Sequence, residues 1–141
     1  MIMQAVLNST EARKNWSELI DDIAHNKPQF ISRNNRDPFL SINMNQTKVI
    51  LSKYTFNFEY EFEEDDTVTA GLEGFDLFVN AETKEQAIRE LAVDLIEYAK
   101  EYFDNIQLYF NAPNRQDHFP FIMNVLLQED LDGVINLIHA D

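Results

Sequence analysis

The chain has 141 residues, 45% hydrophobic and 26% charged, with a formal net charge of −14 and no cysteine. That length suits one ordinary domain or two very small ones, able to bury roughly 70% of the unfolded surface. It excludes a disulfide framework, a thiol nucleophile and a zinc–cysteine site; with no leader-like start in MIMQAV and no apolar run near 18 residues, a cytoplasmic protein with no membrane partner is expected.

Residues 1–7 read as a short edge strand. Ala12, Trp16, Leu19, Ile20, Ile23 and Ala24 then fall on one helical stripe. Asn8, Ser9 and Thr10 offer N-caps, Glu11 suits the first turn, and Asn26 followed by Pro28 ends the helix. Phe30 to Arg33 reads as a strand, Asn34 to Asp37 as a turn and Phe39 to Ile42 as the return strand. A helix over 44–52 comes next, capped near Asn43 or Asn45. From Tyr54 to Phe62 aromatic residues alternate with Thr55, Asn57, Glu59 and Glu61, the strongest strand signal in the chain. Glu63-Glu64-Asp65-Asp66 makes an acidic turn into a strand at 67–72, and Gly74 introduces a third at 75–79.

Thr83 and Gln86 have capping-box spacing, and the apolar steps of three and four from Ala87 persist to about Phe110. One long helix is expected, with a break near Asp104 followed by a strand as the alternative. After a turn at 111–114, a helix is predicted over 118–127, and Asp130 caps a last one running through Val134, Ile135 and Ile138. The fold class is therefore α+β. A helix-and-hairpin head spans 1–53, an antiparallel three-stranded sheet with a long helix spans 54–112, and a helical tail spans 113–141.

Charge divides the chain. Residues 1–53 hold seven Lys/Arg and five acids, +2, so residues 54–141 hold four against twenty, −16. A basic head suits nucleic acid and an acidic body suits a basic protein, although acidic surface also simply keeps a protein soluble. Ser9, Thr10, Arg13, Lys14 and Asn15 form a helix start able to meet phosphate, and Arg33 and Arg36 sit at the hairpin tip. On residue types alone, with five acids close by, an ordinary solvated helix start and turn is the favoured reading of them. A head of about 50 residues is small for a core of its own. Trp16, Leu19, Ile20 and Phe39 are thus expected to bury partly against a second copy.

Catalysis has little support. His25, His118 and His139 are far apart and none has metal-ligand spacing. There are three glycines, no Gly-rich phosphate loop and no nucleophile elbow. The chain reads as a non-enzyme without cofactor, metal or small-molecule substrate.

The ordered set Ser9, Ala12-Arg13, Asn15, Ser17-Glu18-Leu19, Pro28 and Ile31-Ser32-Arg33, followed by Asp37-Pro38-Phe39-Leu40, resembles the N-terminal domain of Phd/YefM antitoxins. Those antitoxins carry Gly near the helix-to-strand turn and in the hairpin, where this chain has Asn26 and Asn34-Asn35. Asn tolerates the left-handed conformation. The resemblance implies a homodimer whose heads grip palindromic operator DNA. Farther on, the strand order, Leu72-Glu73-Gly74 and the helix start Thr83-Lys84-Glu85-Gln86-Ala87 are similar to HicB-type antitoxins, without their proline and with Gln86 for one Glu. His118-x-Pro120-Phe121 is similar to tails of RelE/RelB-type antitoxins.

Together these resemblances imply a type II antitoxin that represses its own operon and neutralises a basic, RelE-like RNase toxin. Phe119, Phe121, Ile122, Val125 and Leu126 are either toxin anchors or core. A stand-alone transcriptional regulator and a protein inhibitor without DNA binding remain alternatives.

Overall fold

In the computed structural model, which describes residues 2–140, the chain divides into two units between Ile50 and Leu51. The first opens with β1 (Leu7–Asn8), which pairs in parallel with β2 (Gln29–Arg33). The predicted strand over 1–7 is thus reduced to its last residue and Asn8, and Met1 lies outside the described residues. Asn8 caps α1 (Ser9–Lys14), its Oδ1 accepting from the Thr10 N–H at 2.8 Å.

The stripe from Ala12 to Ala24 predicts one helix, but the structure breaks it at Asn15 (φ −111°, ψ 38°) and restarts it as α2 (Trp16–His25). The Asn15 N–H and its side-chain Nδ2 both donate to the Glu11 carbonyl, at 3.1 and 3.2 Å. A short amide that satisfies a carbonyl of its own helix competes with the regular ladder, and the helix yields there.

β2 returns through Asn34 and Asn35 into β3 (Arg36–Ser41). Both Asn residues have positive φ, 50° and 62°, as a two-residue hairpin turn of the primed type requires. Ile31 faces Phe39 and Arg33 faces Arg36, so Asp37 and Pro38 together oppose Ser32 in a bulge on an edge strand. Proline is tolerated in such a place because no ladder hydrogen bond is lost. Asn43 precedes α3 (Met44–Leu51), accepting from the Gln46 N–H at 2.8 Å and donating to the last carbonyls of α2 at Ile23 and Ala24. The buried core of this unit is small: Ala12, Leu19 and Ile31, backed by Leu7 and Ile23.

The second unit is built on β4 (Phe56–Phe62), β5 (Val68–Leu72) and β6 (Phe75–Ala81), consecutive antiparallel strands. α4 (Lys84–Asp104) starts at Thr83, whose hydroxyl accepts from the Gln86 N–H at 3.1 Å. It buries Ala87, Leu91, Ala92, Leu95, Ala99 and Tyr102 in the same core as Phe56, Phe58, Val68, Ala70 and Leu72. The expected continuation to Phe110 is interrupted at Asn105, whose N–H and Nδ2 both donate to the Glu101 carbonyl at 3.1 and 2.9 Å. The next segment neither prolongs α4 nor forms a strand; it is a separate short helix, α5 (Ile106–Phe110). The cause is the one seen at Asn15.

A single 3₁₀ turn at Gln116–His118 leads into α6 (Phe119–Leu126), and Asp130 caps α7 (Leu131–Ile135) by accepting from the Gly133 N–H at 2.9 Å. Ile138 does not extend that helix: Ile138 and His139 form β7, paired in parallel with Phe56 and Asn57. The sheet therefore has four strands, in the order β6-β5-β4-β7, rather than three. An open backbone edge on β4 recruits the chain end, a pairing that helical spacing cannot reveal. Ile122, Val125, Val134 and Ile138 lie in one core with α4 and the sheet. Segments 54–112 and 113–141 are thus packed together.

Candidate nucleic-acid and protein interfaces

In the first unit, Thr10, Arg13, Lys14, Asn15, Arg33 and Arg36 are exposed and Ser9 is half-buried. Two of these side chains are already engaged: Lys14 leans on Glu11 at 4.0 Å, and the Asn15 amide is held by the Glu11 carbonyl. The Thr10 N–H is likewise satisfied by Asn8, and α1 is only six residues long, so its dipole offers less to a phosphate than one continuous helix would. The hairpin tip is better placed. Arg33 and Arg36 are directly opposite across the turn, so both side chains leave the same face of the ribbon. Like charges so paired repel, and an anion between them relieves the repulsion.

Part of the apolar side of this unit is exposed. Leu19 is buried in the small core, whereas Trp16, Ile20 and Phe39 are 57%, 44% and 55% exposed. Trp16 and Ile20 are four apart on α2 and share its face.

In the second unit the residues Phe119, Phe121, Ile122, Val125 and Leu126 belong to or border the core. Ile122 and Val125 are buried. Phe121 meets Phe56, Phe75 and Tyr54 at ring separations of 5.6, 5.4 and 5.3 Å, and Phe119 meets Phe110 edge-on at 5.1 Å. Helical spacing marks an apolar stripe on α6 but cannot say whether neighbouring chain or a partner covers it.

The acidic surface gathers on the outward face of the sheet. Glu59, Gly71 and Phe78 lie in one row across β4, β5 and β6; Glu61, Thr69 and Asn80 lie in the next. The Phe78 ring lies directly over Gly71, where a Cβ would come within 2.7 Å of it. That ring is 68% exposed on an otherwise polar face. At the end of the face, Glu63 to Asp66 turn the chain, with Asp66 at φ 67°. The Thr67 hydroxyl and N–H donate to Asp65 and hold its carboxyl below the usual range, so the turn stays charged. Phe78 was open to detection from sequence: in Phe75 to Ala81 it shares strand parity with Asp76 and Asn80, not with Leu77 and Val79.

A polar strap on this unit leaves no trace in the spacing of its residues. The His118 ring stacks on Phe75 at 4.1 Å, its Nε2 lies 2.9 Å from the Gly74 carbonyl and its Nδ1 lies 2.7 Å from the Tyr98 hydroxyl. A carbonyl only accepts, so Nε2 carries the proton and Nδ1 accepts from Tyr98. Arg115 in turn donates to the Tyr98 oxygen at 2.9 Å and pairs with Asp76 at 3.6 Å. Burial, reinforced by the nearby Arg115 charge, pushes the His118 pKa below its ordinary value, against the pull of the Gly74 carbonyl and of Asp76 and Asp117.

Because the folded value lies below the unfolded one, stability from this strap is full above about pH 6.5 and is lost as pH falls toward the folded value. The melting-temperature gap between wild type and His118→Gln should therefore narrow from about pH 7.5 to about pH 5.5. A constant gap would show that the imidazole does not titrate in the strap.

Among the described residues no helix is long and apolar enough to cross a membrane, and no group of His, Asp and Glu is placed to hold a metal ion. Known proteins share this arrangement. A family model described as PHD-like, an antitoxin of toxin–antitoxin RelE/RelB systems, matches residues 3–140. A crystal structure from Syntrophomonas wolfei subsp. wolfei, described as the antitoxin part of a proposed toxin/antitoxin system, superposes with a TM-score of 0.92 at 37% identity. That match covers 98% of this chain and 99% of the other. No curated protein matches.

Proposed function

The chain belongs to the PHD-like family of antitoxins, and from that premise we propose that it divides an antitoxin's two tasks between its two units. The acidic second unit binds and neutralises a basic, RelE-like RNase toxin. The first unit pairs with a second copy and represses the operon by binding operator DNA. The chain itself is a non-catalytic inhibitor and regulator.

The observation that carries this reading is the separation of charge between two units with separate cores. Up to Ile50 there are six Lys/Arg and five acids, a balance of +1; from Leu51 onward there are five and twenty, a balance of −15. The second unit would repel nucleic acid and draw in a protein whose own groove is cationic enough to hold RNA. The order of three strands and a capped helix supports kinship of this unit with HicB-type antitoxins. For the first unit, the facing Arg33 and Arg36 and the uncovered Trp16, Ile20 and Phe39 support a dimeric DNA clamp of the Phd/YefM kind. Arg13 stands on the same unit as a further exposed cation.

A gel shift on the protein's own promoter at two salt concentrations tests the DNA-binding half. Arg33→Ala with Arg36→Ala should weaken binding and lower the salt slope by about 1.8, at ~0.9 per lost phosphate contact. An unchanged slope removes the hairpin tip from the interface. For the toxin-binding half, purified protein is added to the product of the adjacent reading frame and RNA cleavage is followed. Cleavage that continues at a molar excess of this chain overturns the assignment.

A further inference from the structure

Resting on the toxin-binding reading above, we propose that the free edge of β6, with the groove between β6 and α4, seats an extended cationic segment of the partner, which adds to the sheet as a further strand. β6 ends the strand order, and among the described residues no strand pairs with its outer edge. A seven-residue edge is a template for strand addition unless it is blunted by Pro, Lys or an inward charge. β6 contains neither Pro nor Lys, and its one charge is Asp76. That residue lies at the strapped end, where Arg115 pairs with it. The stretch from Phe78 to Asn80 lies beyond that strap.

The neighbouring groove gives this edge a side-chain pocket. A shallow cleft of about 510 Å³ is lined by Val79 and Asn80 of β6 and by Arg89, Glu90, Val93 and Asp94 of α4. Val93 is 42% exposed there, an apolar floor facing Val79 with two acids and one Arg around it. Side chains of an added strand point alternately to the two faces of the sheet. One set would meet the Val79–Val93 floor and the Glu90 and Asp94 rim. The other would meet Phe78, whose ring lies exposed over Gly71.

Charge selects the occupant. A second copy offering its own β6 would bring two units of −15 together, whereas a cationic segment is attracted to the same place. Main-chain hydrogen bonds would then supply affinity, and the groove and Phe78 the preference for alternating apolar and basic residues.

The test uses the full chain and the product of the adjacent reading frame. On complex formation the amides of residues 75–81 should gain hydrogen-exchange protection. Val93→Lys should weaken binding tenfold or more with an unchanged melting temperature, because the site is already exposed. Phe78→Ser, on the opposite face, should also weaken binding and serves as the second variant if Val93→Lys lowers stability. A complex that forms with no new protection at β6 and with affinity unaffected by either variant overturns the edge assignment and leaves the inhibitor reading intact. Concentration-dependent protection of β6 in the unbound chain would assign the edge to a second copy and overturn the proposal. Failure of the product to bind wild type overturns both readings together.

Discussion

Tyr102→Ala is expected to cost the second unit about 3–5 kcal/mol of stability, as large-to-small aromatic truncations in a packed core do. Tyr102 is fully buried on α4. Its ring stacks on Tyr109 at 5.1 Å and its hydroxyl donates to the Arg115 carbonyl at 2.8 Å. Truncation would leave a cavity and leave the Arg115 carbonyl with the His118 N–H as its remaining donor, at 3.1 Å, and would loosen the loop that presents Arg115 to Tyr98 and Asp76. Tyr102→Phe separates the two contributions, since it keeps the ring and removes one hydrogen bond, at roughly 0.5–1.5 kcal/mol. Urea unfolding followed by circular dichroism measures both. A loss below ~1 kcal/mol for Tyr102→Ala would mean that the core around α4 collapses to fill the space.

Removal of residues 113–141 is expected to unfold the second unit rather than merely speed the release of a partner. The segment supplies Ile122, Val125, Val134 and Ile138 to the shared core, and β7 to the edge of β4. Asn124, itself buried, donates to the Tyr54 carbonyl at 2.9 Å. Each fully buried aliphatic side chain is worth roughly 1.5–3 kcal/mol, so the four lost together, roughly 6–12 kcal/mol, are comparable with the whole stability of a small domain, about 5–15 kcal/mol. The truncated chain should lose its cooperative melting transition for this unit and with it any toxin binding. Retention of a sharp transition would show that β4 to α5 fold without the tail. A loss of binding caused by this truncation therefore reports folding, and the toxin contact has to be mapped with exposed positions such as Phe78, Val93, Glu59 and Glu61.

Much of the local structure was legible in the residues. Alternation marked β4, the Thr83–Gln86 spacing marked the start of α4, Asp130 marked the start of α7, and Asn34-Asn35 marked the hairpin. These signals are local, set by side-chain parity, capping and the tolerance of Asn for left-handed backbone, and they act within a few residues. The two interrupted helices were less legible. An apolar stripe survives across Asn15 and Asn105 because a break that costs little rotation leaves the period nearly intact, while the amide that causes it looks like any surface Asn.

What the sequence determined by itself is the antitoxin kinship carried by ordered motifs, the division of charge and the identity of most elements. The tertiary structure alone decided which apolar residues are already spent on the core. Leu19, Ile122 and Val125 are buried within the chain while Trp16, Phe39, Phe78 and Val93 stay exposed, though all are equally apolar on paper. It also decided that residues 138–139 pair with β4 and that His118, Arg115 and Tyr98 meet. The physical reason is the same in each case: burial and strand pairing are set by contacts between residues far apart in the chain, and a periodic pattern shows that a face needs covering without saying what covers it.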